Sequence, residues 1–141
     1  MAGEVATLTY DDGYDGIPRP GNVCKIILDW TSDAAGGTCA TTTRKIVGEL
    51  IKAVTDPASP SAPTDNYDIV LSDPEGTDLL AQSFSNLIDR DTANTEVVYL
   101  NLTDGTAGGT VRLAAYPVVC DPISISISAA GNTKSGQLII Y

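Results

Sequence analysis

Isoleucine and serine alternate without interruption from Ile123 to Ser128, the clearest period-two stretch in the chain. Successive side chains of a β-strand point to opposite faces, so this pattern predicts a strand with isoleucine inward and serine outward. Other stretches carry weaker versions of the same signal. Thr7–Tyr10 alternates briefly, and Val23–Trp30 is an apolar run suited to an interior strand. Cys39–Lys45 is threonine-rich, the composition of a strand with one wet face. Glu96–Leu102, Thr110–Tyr116 and Gln137–Tyr141 complete the set. Ile46–Thr55 fits either a helix or a strand. Strand is favoured, because β-branched residues dominate and Gly48 would cost a helix ~1 kcal/mol relative to alanine.

Between these stretches the turn signals are dense. In the segment from Ala62 to Glu96, Tyr67, Ile69 and Leu71 alternate with Asp68, Val70 and Ser72. Asp73-Pro74-Glu75-Gly76 then turns the chain toward Asp78-Leu79-Leu80. Proline pre-sets φ at the second position of a turn and glycine accepts positive φ, so the segment reads as an acidic β-hairpin. Asp56–Thr64 holds three prolines and is the most rigid loop; Gln82–Ile88 has the spacing of one helical turn. The predicted fold is all-β: a single-domain antiparallel sandwich or barrel of about eight or nine strands, with at most one short helical turn. Residues 1–21 read as an N-terminal segment with a Gly/Pro loop, and 22–141 as the β-domain.

Composition narrows the function. Eight basic against 18 acidic residues give a net charge of −10, and the cations are scattered, which argues against direct nucleic-acid binding. No window approaches the ~18 apolar residues of a membrane span, and the N-terminus lacks the pattern of a signal peptide. Cys24, Cys39 and Cys120 have no metal-ligand spacing. Buried free thiols are the favoured reading, with a Cys24–Cys39 disulfide as the alternative.

The chain contains no histidine, which removes Ser–His and Cys–His catalysis and the commonest zinc co-ligand. Phosphate-cradling glycine motifs are missing, and no aromatic stripe accompanies the carboxylates as a sugar platform. The expectation is a non-enzyme with no cofactor. Asp11, Asp12 and Asp15 beside Gly13 and Gly16 are weak candidates for a calcium site, weighed against aspartates that simply make Asx turns. Trp30, the single tryptophan, is read first as core and second as an interface anchor.

The strings Asp29-Trp30-Thr31-Ser32-Asp33-Ala34-Ala35-Gly36, Val54-Thr55-Asp56-Pro57, Ala62-Pro63-Thr64-Asp65-Asn66-Tyr67-Asp68-Ile69, Asp89-Arg90-Asp91-Thr92-Ala93-Asn94-Thr95-Glu96 and Ala130-Gly131-Asn132-Thr133-Lys134-Ser135-Gly136 together resemble a family of small tailed-bacteriophage virion proteins. The similarity runs from about Asn22 to Tyr141. It implies a structural component of the particle, a head decoration (cement) protein on the outer capsid surface, with a tail or head–tail connector position as the alternative. A calcium- or carbohydrate-binding adhesion module is a further alternative. The implied partners are the major capsid protein and further copies of the chain, a trimer being one arrangement. No catalytic residue transfers with the resemblance. Trp30, Pro57, Pro60, Pro63, Asp89, Arg90 and Asp91 are the candidate partner-contact residues, and the prolines limit the entropy lost when a loop docks.

Overall fold

The computed structural model describes residues 3–11, 25–76, 79, 95–100 and 116–141, and none of these is helical. Among the described residues ten strands run in chain order: β1 Val5–Asp11, β2 Lys25–Thr31, β3 Cys39–Thr42, β4 Gly48–Glu49, β5 Lys52–Pro57, β6 Asp68–Ser72, β7 Glu96–Tyr99, β8 Val118–Val119, β9 Ser124–Ser128 and β10 Ser135–Ile140. They form a five-stranded antiparallel sheet in the order β1-β2-β10-β5-β7, a three-stranded sheet β3-β9-β6 and a small ladder β4-β8. The fold is all-β and sandwich-like, as the alternation predicts.

One core joins the sheets. Ile26, Leu28 and Trp30 of β2 and Leu138 and Ile140 of β10 meet Ile69 and Leu71 of β6 and Ile125 and Ile127 of β9. Ile123, Ile125 and Ile127 are each 1% exposed, whereas Ser124, Ser126 and Ser128 point away from the core. Leu138 sits mid-strand in β10, which pairs Leu28 of β2 on one side and Thr55 of β5 on the other. Trp30 is 3% exposed, and its ring lies over Gly136, where an added Cβ would come within 3.1 Å of it. The ring also tilts against Tyr67, with centroids 6.0 Å apart.

The structure corrects one sequence reading and adds detail to three others. Ile46–Thr55 is not one strand: the chain pairs with β8 at Gly48–Glu49, then changes partner to β10 at β5. The inward positions shift from even (Ile46, Leu50) to odd (Ala53, Thr55), the phase slip expected where a chain leaves one sheet for another. The Asp73–Gly76 turn forms, with Gly76 N–H donating to Asp73 O at 3.0 Å, and β6 also pairs along its length with β9. Of the predicted return strand, only Leu79 is described; it donates to Leu71 O at 2.9 Å. Within the N-terminal segment, the alternation at Thr7–Tyr10 belongs to β1, which pairs in full with β2 and packs Ala6, Leu8 and Tyr10 on the core. Finally, Cys39 is a buried free thiol, as favoured over the disulfide, whereas Cys120 is a free thiol that is exposed and not buried. Burial, followed by the nearby Glu4 charge, pushes the Cys39 pKa up. The helical turn at 82–88, the strand at 110–116 and Cys24 lie outside the described residues.

This packing predicts that Leu138→Ala lowers unfolding free energy by about 3 kcal/mol, the usual cost of a cavity at a fully buried leucine. Ser126→Ala, in the other sheet and facing out, should stay within about 0.5 kcal/mol of the parent. Urea unfolding followed by Trp30 fluorescence measures both.

Candidate functional site

At one end of the sandwich, three connections meet: the β2–β3 loop, the β5–β6 loop and the β9–β10 loop. Ser32, fully buried, sits between them. Its hydroxyl donates to Gly131 O at 2.6 Å and accepts from Lys134 N–H at 2.9 Å, and its own N–H donates to Lys134 O at 2.8 Å. Thr64 ties in the third loop. Its N–H donates to Ala130 O at 2.9 Å and its hydroxyl to Ala129 O at 2.6 Å. Buried backbone groups that leave a ladder need such partners, and here side-chain hydroxyls supply them.

The junction is close enough to dictate glycine. Gly37 has φ of 64°, and a Cβ there would stand 2.6 Å from Gly131 N. Gly131 has φ of 86°, and a Cβ there would meet the Thr64 methyl at 2.8 Å. Ala129 and Thr133 also hold positive φ, of 56° and 50°, although neither is glycine. Residues in this conformation persist only where their surroundings over-determine them. Asp33 finishes the first loop: its Oδ1 accepts from Gly36 N–H and Thr38 N–H, each at 3.0 Å. Those bonds, Thr38 first, hold its pKa below the ordinary carboxylate value.

Beside the junction, the outward face of the large sheet forms an open groove of about 400 Å³. Thr7, Asp29, Gln137 and Asp56 line up across β1, β2, β10 and β5 in one lateral row. Gln137 Nε2 donates to Asp29 Oδ1 at 2.7 Å, and Thr95 Oγ1 donates to Asp56 Oδ1 at 2.8 Å. Thr31 and Ser135 add hydroxyls, while Val5, Pro57 and Ala58 form apolar margins. The groove therefore offers hydrogen-bond acceptors and negative charge.

The sequence candidates are only partly brought together. Pro57 lines the groove; Trp30 contributes to its floor but is covered, so it is a core residue with little surface for a partner. Pro63 is buried near the junction, and Pro60, after a cis Ser59–Pro60 bond, is exposed. Asp11 ends β1 opposite Lys25, at the other end of the strand from Val5 and the groove. Asp12, Asp15, Asp89, Arg90 and Asp91 lie outside the described residues. Among those described, no group of three or more Asp, Glu, Cys or His side chains is placed to hold a metal.

Ser32, Gly37, Thr64 and Gly131, and the row of Asp29, Gln137 and Asp56, are absent from the sequence-based candidates. Asp29 interrupting an apolar strand and Gln137 heading another were the available signals. No family model, no curated protein and no solved structure matches the chain.

Gly37→Ala should destabilise the fold by at least ~2 kcal/mol, because the left-handed penalty adds to the clash with Gly131. Gly36→Ala, where the nearest atom to a Cβ is 3.6 Å away, should change stability by less than about 0.5 kcal/mol. Asp33 gives a pH test. A depressed folded-state pKa adds stability that is present above the unfolded value near ~3.9 and lost as pH falls through the lower folded value. The melting temperature of Asp33→Asn should lie below the parent's at neutral pH and converge with it in acid; a constant offset would reject the charge as cause.

Proposed function

We propose that this protein is a structural component of a tailed-bacteriophage virion, a decoration protein that binds and stabilises the head lattice. The observation that carries the reading is where the resemblance-bearing segments sit. Asp29–Gly36, Val54–Pro57, Ala62–Ile69 and Ala130–Gly136 are far apart in sequence, yet they build one loop junction and its adjoining groove. Segments that come together in space in this way are what a shared architecture requires, which supports the reading. A compact β-domain of net charge −10 also suits a protein that must stay soluble at high copy number before docking. The major capsid protein is the proposed partner.

Quantitative mass spectrometry and electron cryomicroscopy of purified particles test this. Hundreds of copies on the head surface are expected. A handful at the tail or neck would move the assignment to a tail or connector component, and absence from particles would overturn the virion reading.

A further inference from the structure

We infer that the groove on the outer face of the five-stranded sheet docks an extended protein segment carrying two basic residues. The groove is concave, about 400 Å³, and lined by Asp29 and Asp56, with no cationic side chain among the described residues that line it. The two carboxylates stand on β2 and β5, separated by β10, so they are two strand spacings apart, roughly 10 Å. In an extended chain of polyproline II form, with three residues per turn, residues three positions apart share one face and are separated by nearly the same distance, at ~3.1 Å per residue.

Gln137 lies between the aspartates and already donates to Asp29, which fixes one side of the row before any partner arrives. The Thr95 hydroxyl does the same for Asp56. Preorganised acceptors lose less freedom on binding. The apolar margins complete the fit: Val5, 57% exposed, flanks one side and Pro57 and Ala58 the other. Lysine and arginine lay their aliphatic stems on such surface while the charged head reaches a carboxylate. A saccharide is the poorer occupant, because Trp30, the only aromatic residue among the described residues lining the groove, is 3% exposed and offers no stacking face. The inference goes beyond the virion reading and does not rest on it, since any partner presenting this spacing qualifies.

The test uses the full chain, isotopically labelled for amide NMR. The probe is the peptide acetyl-Ser-Arg-Thr-Ser-Arg-Ser-amide, with its double-glutamate counterpart as control. The arginine peptide should shift amides of Thr7, Asp29, Thr31, Asp56, Ser135 and Gln137 in a saturable way that weakens as ionic strength rises. The control should not. Asp29→Asn with Asp56→Asn keeps one acceptor oxygen on each side chain while removing the charge; it should weaken binding roughly fivefold, the scale of exposed ion pairs. Shifts spread over the whole acidic surface, equal binding of the glutamate peptide, or an unaffected double variant would each overturn the inference.

Discussion

The buried hydroxyl of Ser32 is the contact on which this end of the molecule depends. It bonds to Gly131 and Lys134, partners 99 and 102 residues away in sequence. Two backbone groups that have left the sheet ladder, Gly131 O and Lys134 N–H, are satisfied there by one hydroxyl. The bond is possible only because Gly37 and Gly131 approach without side chains between them. Hydroxyl and glycines are therefore one device: removing either leaves the other without purpose. The positive φ at Ala129 and Thr133 shows how firmly the surrounding contacts determine the path of the β9–β10 connection.

Much of the sheet structure was legible because side-chain alternation reports directly on burial. β9 is the plainest example, with each isoleucine inward and each serine out. β2 was legible for a different reason, its apolar run matching a strand with neighbours on both sides. Where reading failed, two physical signals were superposed. In Ile46–Thr55 the apolar character continues unbroken while the chain changes sheets, so only the parity of inward positions records the switch. The Asp73–Gly76 turn was visible in its residues, yet turn chemistry says nothing about which strand β6 pairs with. The choice of β9 follows from fit across the core.

The site was less legible than the fold. Ser32 and Thr64 are ordinary loop residues until the chain folds, and their importance arises from partners that lie far away in sequence. The groove is harder still, since Asp29, Gln137 and Asp56 become a row only through the register of three strands. The strings that suggested a family describe the scaffold: Asp33 closes a turn, Gly131 permits contact and Thr64 fastens a loop. Such residues identify an architecture well and specify a partner poorly. Recognition is carried instead by the outward side chains on either side of them.

The position of β10 has a kinetic consequence. Strands β1 and β2 adjoin one another, and so do β5 and β7, but the two pairs meet only through β10. The large sheet therefore closes by capturing a segment remote from both, and loop closure must precede the reward of pairing. Folding of this kind is slow for its size and leaves unpaired edges on β2 and β5 until the last strand arrives. The indole of Trp30, resting on Gly136 of that strand, is a built-in optical reporter of the arrival.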